Sequence, residues 1–382
     1  MQLTDFDIDG FLRDYWQKKP LLIRNPWSAW QNPLEPDDLA GLACENDVES
    51  RLIIQTGETW ALESGPFPEA RFSQLGPEPW TLLVQAADHF VEDVAALIAP
   101  FRFVPNWRVD DVMVSYAPDG GGVGPHFDQY DVFLIQGLGQ RRWQVGALCD
   151  AATPLLPHAD LRLLANFEPV EEWILEPGDI LYVPPGVAHN GVAVGDDCMT
   201  YSIGFRAPSR HELIVDWCDH VAEQIPDDDR YRDPDLRRQD NPGEISAAAL
   251  ARLHDMMTEA MLDRDAFARW FGQYNSIPKY PEADWRPDDA VEPQDFAELL
   301  AGGGMLCRNP ASRFSFIRRR DGVWLFVDGD CFACDEDSAG LAEGLCAQAR
   351  TRIDPAVAAS AAVRNLLAAL YNQGSLTIEP RD

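Results

Sequence analysis

His126 and Asp128 stand two residues apart inside residues 120–143, GGGVGPHFDQYDVFLIQGLGQRRW, and a third group of matching chemistry, His189, follows the turn Pro184-Pro185-Gly186. Two imidazoles and one carboxylate are the ligand set of the facial triad that holds non-haem Fe(II) and leaves positions open for oxygen and a cosubstrate. Structural zinc sites, by contrast, are rich in thiolate. Taken singly, each residue has a plainer explanation. A His-x-Asp pair arises by chance, and a histidine after a turn is commonly a packed core residue. The combination points to a metal because the spacing puts the pair on one predicted strand, 126–135, rich in aromatic and β-branched residues. Side chains two apart on a strand share a face, and Tyr130 falls on the same face.

Arg141 and Arg142 follow the predicted turn Gly137-Leu138-Gly139. Neighbouring strand residues face opposite ways, so one of the two can point inward while the other points out. A buried guanidinium needs an anion, and its planar fork suits a carboxylate. Two surface arginines on an edge strand are the alternative that this segment alone leaves open.

These groups need a rigid frame. From Asp111 onward, short apolar runs at 112–116, 127–135, 142–145, 172–175, 180–183 and 199–205 are separated by Gly/Pro turns. That pattern predicts a β-sandwich or jelly-roll barrel, wide enough inside for a metal and a small ligand. Before it, a helical pattern around Phe11, Leu12, Tyr15 and Trp16, a strand at 21–24, a helix at 37–42 opened by Pro36, strands at 51–55 and 81–85, and helical spacing over 86–98 read as a covering layer. After Pro208 the signal turns helical, at 212–224, 245–262 and 265–274, broken by the polar run PDDDRYRDPDLRRQDNP. A Pro/Asp-rich stretch at 278–293 precedes alternating elements at 293–300, 313–318, 323–327, 338–349, 356–371 and 376–379, which fit a small α+β module of the winged-helix kind.

The chain carries 31 Lys and Arg against 63 Asp and Glu, a net charge of −32. Such a field repels nucleic acid and attracts basic partners, although a solvated acidic surface would need no partner at all. With the acidic stretch CDEDSAGLAEG in it, the C-terminal module is expected to be structural or protein-binding, with no direct DNA binding. The N-terminus lacks the basic start and apolar centre of a signal peptide, and no run of apolar residues is long enough to span a bilayer, so a cytoplasmic protein with no membrane contact is expected. Cys331 and Cys334 form a CxxC without a second pair, which reads as two ordinary thiols near a turn.

The stretches GGGVGPHFDQYDVFLIQGLGQRRW, EPGDILYVPPGVAHNG and YSIGFRAP, with YWQKKPLLIR near the start, resemble the JmjC-type ribosomal oxygenases, whose bacterial branch hydroxylates an arginine of the large-subunit ribosomal protein L-sixteen. The resemblance implies a mainly β, cupin-like double-stranded β-helix core with N-terminal covering helices over 1–207, a helical dimerisation segment over 208–277 and a winged-helix-like module over 278–382. It implies Fe(II) held by His126, Asp128 and His189, with 2-oxoglutarate as cosubstrate, its distal carboxylate on Arg141, and molecular oxygen as oxidant. Asp111, Tyr130 and Ser202 would form the pocket for the target arginine, and the protein would be a homodimer acting on a basic ribosomal protein. Elementary chemistry agrees, since Asp111 can pair with a cation and Tyr130 can flank one near the metal. Asp111 would equally suit the start of a strand. The chain departs from the broader cupin pattern, in which a second histidine stands where Asp128 is and a glutamate follows. A cupin-type metalloenzyme acting on a small molecule is the rival reading, and it would need no anion-binding Arg141.

Overall fold

The computed structural model describes residues 2–4, 6–296, 305–354, 357 and 359–379, in two compact units. The first comprises Met1–Ala207 with Lys279–Asp284 and Asn309–Ala311; the second comprises Pro208–Pro278, Trp285–Arg308 and Ser312–Asp382.

In the first unit, α1 (Ile8–Asp14) starts where the Asp7 carboxylate accepts from Gly10 N at 3.0 Å, satisfying one of the free donors of a first turn. After β1 (Leu21–Ile23), α2 (Pro36–Leu42) uses Pro36 at its first position, where a missing N–H costs nothing. Strands β2 (Ser50–Thr56), β3 (Thr59–Ser64) and β4 (Trp80–Val84) follow, with the short helix α3 (Ala70–Ser73) before β4. The helical spacing over 86–98 resolves into a 3₁₀ turn (Ala87–His89), the single-turn α4 (Glu92–Ala95) and a second 3₁₀ segment (Ala96–Phe101) that contains Pro100, a residue incompatible with a long regular helix. Then come β5 (Val109–Ala117), β6 (Asp131–Leu148), β7 (Glu171–Leu175), β8 (Ile180–Val183) and β9 (Val187–Phe205). The antiparallel sheet runs β1-β8-β6-β9-β5-β4-β2-β3, with β7 also paired to β6.

Two expectations are corrected here. The strand expected at 126–135 begins only at Asp131, and the separate strand expected after Gly139 is the continuation of β6. The predicted turn is instead an irregularity inside one long strand: the pairing with β9 shifts register between Gln136 and Gln140, and Gly139 takes φ +58. A Cβ on Gly139 would lie 2.7 Å from the carbonyl oxygen of Asp197, so glycine is what lets the strand bend and continue.

The long pair β6/β9 supplies one wall of the site, including Val132, Leu134, Arg141 and His189, and the face of β6 turned away from that cavity packs into an aromatic core. Phe133, fully buried, has its ring centroid 4.6 Å from that of Phe101 and 5.0 Å from that of Tyr182. Next to it the buried Asp131 carboxylate accepts from Tyr182 Oη at 2.6 Å, Gln17 Nε2 at 2.9 Å and Arg108 at 3.0 Å, which pins the start of β6 just after the loop that carries His126 and Asp128. Phe133→Ala is expected to destabilise the first unit by about 3–5 kcal/mol, the usual loss for emptying a packed aromatic site, read as a lowered urea midpoint.

In the second unit, α5 (Arg210–Gln224) opens with a reciprocal capping box between Ser209 and Glu212, and α6 (Ala247–Met261) and α7 (Arg264–Ser276) are capped by the Ser246 and Asp263 side chains. Trp217, Val221 and Trp270 pack together between α5 and α7. Strands β10 (Met305–Arg308), β11 (Phe314–Arg319), β12 (Gly322–Val327), β13 (Asp330–Cys334), β14 (Arg350–Arg352) and β15 (Leu376–Glu379) form two three-stranded sheets, with the helices α8 (Glu336–Ala347) and α9 (Ala361–Asn372) packed in the same core. Half of the expected element at 293–300, residues 297–300, lies outside the described residues. Cys331 and Cys334 are both free on β13, and burial pushes both thiols up. Among the described residues, no helix is long and apolar enough to cross a membrane.

Candidate active site

The segment carrying His126 and Asp128 is an extended loop stitched to β9 rather than a strand of the sheet. Gly122 bridges Val192, and a Cβ there would meet the carbonyl oxygen of Gly191 at 2.5 Å, so the loop can lie this close only as glycine. His126 and His189 exchange backbone hydrogen bonds of 3.0 and 2.8 Å, and Gly186 N donates to the carbonyl oxygen of Asp128 at 2.7 Å. The strand expectation fails because the segment holds glycines and Pro125, and pairs with its neighbour at isolated points. Its consequence survives, since His126, Asp128 and Tyr130 line one cavity together with His189 and Arg141.

Three donor atoms converge there. Asp128 Oδ2 lies 3.5 Å from His189 Nε2 and 3.9 Å from His126 Nε2, and all three donors are within 4.8 Å of one another. Each ring is oriented by its other nitrogen: His126 Nδ1 is 2.9 Å from Gly124 O and His189 Nδ1 is 3.0 Å from Val187 O. A carbonyl can only accept, so Nδ1 carries the proton in both rings and each Nε2 lone pair is turned to the centre. Burial, reinforced by the neighbouring His126, pushes His189 down to about 4, so its imidazole is neutral and ready to donate at neutral pH. Two imidazoles and a carboxylate in this arrangement fit a divalent metal with open coordination positions.

Arg141 is the inward member of its pair, 3 % exposed, while Arg142 points out. Its Nε donates to Cys198 Sγ at 3.3 Å and its guanidinium lies 5.8 Å from the Trp143 ring, but one terminal nitrogen is buried without a partner. A buried donor left unpaired in a cavity beside a metal-type centre is the signature of a site for an anion. Trp143 and Thr200 also line this cavity and escape the sequence reading. Thr200 was reachable, since it precedes Ser202 by the two-residue period of β9.

A second cavity adjoins the first and shares Met113, Tyr130, Val132 and Ser202 with it; its other walls include Gln85, Asp110, Asp111, Gly204 and Lys279. Here the Asp111 carboxylate, 3 % exposed, accepts from Gln85 Nε2 at 2.7 Å and Ala86 N at 3.0 Å. Burial raises its carboxyl, and the Lys279 ammonium 3.0 Å away opposes that rise. Buried Asp88, which accepts from Val112 N at 2.8 Å, is pushed up to about 8 by burial and by Asp111. The Tyr130 phenol is held well above its usual range by burial and by the carboxylates of Asp128 and Asp111. Neither Asp88 nor Lys279 announces itself in the sequence, because each is distant from the ligand stretch and reaches the pocket only through folding.

A JmjC domain model matches residues 96–213, a ROXA-like winged helix model matches 253–377, and an AraC-like ligand binding domain model matches 170–268. The ribosomal protein uL16 3-hydroxylase of Escherichia coli (strain K12) is 41% identical over 298 residues, which cover 78% of this chain and 79% of that protein. The chain belongs to the JmjC-type ribosomal oxygenases. Among solved structures, the X-ray structure of E. coli ycfD superposes with a TM-score of 0.90 at 35% identity, covering 99% of this chain and 100% of that one. The structure of YcfD, a ribosomal oxygenase from Escherichia coli, in complex with cobalt and 2-oxoglutarate superposes with a TM-score of 0.87 at 35% identity, covering 99% of each chain. As a JmjC-type ribosomal oxygenase the chain is an enzyme, and its fold class, a cupin-like antiparallel core followed by a winged-helix module, is the one expected from the sequence.

Proposed function

We propose that this chain is an Fe(II)- and 2-oxoglutarate-dependent hydroxylase of an arginine side chain in the large-subunit ribosomal protein uL16. The observation that carries this reading is the convergence, in one cavity, of three metal-type donors and a buried arginine with a free N–H, next to a pocket lined by carboxylates. The name of the E. coli relative and the cobalt and 2-oxoglutarate complex of the E. coli structure support it.

Bound iron, with 2-oxoglutarate and molecular oxygen, supplies the oxidising power for C–H hydroxylation, and 2-oxoglutarate leaves as succinate and carbon dioxide. The chain's own residues do the positioning. His126, Asp128 and His189 hold the metal. Arg141 holds the distal carboxylate of the cosubstrate through its unpartnered nitrogen. Asp111 pairs with the substrate guanidinium, Ser202 offers a hydroxyl, and the Tyr130 ring flanks the cation between the two cavities. Val132 and Leu134 close the wall with apolar surface that excludes water. A domain division at 1–207, 208–277 and 278–382 belongs to the same reading. Exposed Ile214, Val215, Leu250, Leu253 and Met257 on α5 and α6 support a homodimer formed through the helical segment. A cytoplasmic setting, where uL16 is made, fits a substrate of this kind.

The test is turnover of a uL16-derived arginine peptide by the full chain with Fe(II) and 2-oxoglutarate, followed by mass spectrometry. Gain of one oxygen atom on the arginine is expected, and an unmodified peptide alongside uncoupled 2-oxoglutarate consumption would sink the substrate assignment. Asp111→Asn is expected to raise KM for the peptide about thirtyfold, roughly 2 kcal/mol, the range for loss of a buried charge-assisted contact.

A further inference from the structure

We propose that Lys279 is a positioning residue of the substrate pocket: its ammonium clamps Asp110 and Oδ2 of Asp111, so that Oδ1 of Asp111 is the carboxylate oxygen presented to the incoming guanidinium. The proposal rests on the reading that Asp111 receives the substrate arginine.

Lys279 arrives from far along the chain. Helices α5 to α7 intervene, yet the segment Lys279–Asp284 packs as part of the first unit. It is docked by its own contacts: Tyr280 Oη donates to Glu49 Oε2 at 2.8 Å, and the Tyr280 ring meets the His89 ring edge-on with centroids 6.0 Å apart. That fixed backbone delivers Lys279 Nζ to 3.1 Å from Asp110 Oδ2 and 3.0 Å from Asp111 Oδ2.

The consequence lies in how the Asp111 carboxylate is used. Gln85 Nε2 and Ala86 N already donate to Oδ2, so with the Lys279 ammonium beside it that oxygen has no acceptor site to spare. Oδ1 receives none of these contacts. It faces Gly204, another residue of the pocket wall, 3.8 Å from where a Cβ would stand there. A guanidinium cannot straddle both oxygens while Lys279 is in place. It must bind end-on through Oδ1, which fixes the direction in which the arginine side chain runs toward the metal cavity.

Charge points the same way. Asp110 and Asp111 are adjacent carboxylates lining one pocket, and Glu49, Asp88 and the Tyr130 and Tyr280 phenols also face Asp111. Arg206 Nε comes within 4.0 Å of Asp110 Oδ1. Lys279 is the cation in direct contact with Asp111, and without it burial and Asp110 would drive Asp111 toward its protonated form, which cannot pair with a guanidinium.

The full-length holoenzyme, assayed with the arginine peptide, tests this. The neutral variants Lys279→Met and Lys279→Gln are expected to raise peptide KM about tenfold, with most of the loss in KM rather than kcat, and to move the acid limb of kcat/KM to higher pH. Lys279→Arg, which keeps the charge, is expected to restore most of the affinity, while KM for 2-oxoglutarate stays put in all three and reports an intact metal cavity. An unmoved peptide KM and acid limb in both neutral variants would overturn the clamp. So would a lowered KM, which would make Lys279 a plug that the substrate has to displace. Asp111→Asn separates the two levels: a raised KM there with normal Lys279 variants sinks the clamp alone, whereas an unchanged KM in Asp111→Asn removes the pocket reading and the clamp with it.

Discussion

Asp128→Ala is expected to remove metal capture and to lower kcat/KM at least about a thousandfold, roughly 4 kcal/mol of transition-state stabilisation. The size follows from the composition of the donor set. An imidazole binds a metal without carrying charge to it, so Asp128 is the residue of the three that brings a carboxylate, with its Oδ2 3.5 and 3.9 Å from the Nε2 atoms of His189 and His126. Removing it takes away both a ligand and the charge that balances a divalent cation. Loss of the fold would not explain such a result. The loop is held by main-chain bonds, between His126 and His189 and from Gly186 N to Asp128 O, and these do not depend on the Asp128 side chain. The thermal midpoint of the metal-free protein should therefore move little, while the rise in midpoint on adding Mn(II) or Co(II) disappears, since a ligand stabilises only the state that binds it. Metal titration of the variant gives the direct reading. Retention of parental affinity by Asp128→Ala would remove the metal centre, and with it the assignment of Fe(II).

Much of the candidate site's geometry was legible because the patterns that bring its side chains together are local. A His-x-Asp pair, a Pro-Pro-Gly turn ahead of His189 and alternation at Arg141 and Arg142 are all short-range patterns. Arg141 does point in and Arg142 out, as the two-residue period requires. What the pattern could not supply was the backbone that carries it. Periodicity over 126–135 looks the same whether the residues sit in a strand or in an extended loop, and the decision lay in pairing with β9, a tertiary matter. The Gly137-Leu138-Gly139 stretch misled in the opposite direction. Its turn chemistry is genuine, but the long partner strand holds β6 in the sheet and absorbs the irregularity as a shift of register. Lys279 lies further out of reach, since its role depends on a segment returning across several helices to the first unit. β3 was also invisible, because its outer face is exposed and its pairing to β2 is made through a tight turn at Gly57, with φ +63.

Arg141→Met is expected to separate stability from function more sharply than any other substitution in this chain. KM for 2-oxoglutarate should rise about a hundredfold or more, about 3 kcal/mol, because a buried charge-assisted contact to the distal carboxylate is lost. The metal-free fold should not suffer in proportion. Without an anion, Arg141 is a guanidinium 3 % exposed whose described polar contact is to a thiol at 3.3 Å and whose terminal nitrogen is unpaired. Burying a charge so poorly compensated is unfavourable, and an apolar side chain of similar length fills the same space against Trp143 and Leu134 without that penalty. The metal-free Arg141→Met protein should thus melt at or above the parental temperature, while 2-oxoglutarate no longer raises its melting point. Arg141→Lys should fall between, since an ammonium retains the charge but not the planar fork. A variant that melts well below the parent would mean that Arg141 is a structural residue satisfied within the protein. Unaltered use of 2-oxoglutarate by Arg141→Met would instead move the anion site elsewhere and reopen the small-molecule cupin reading.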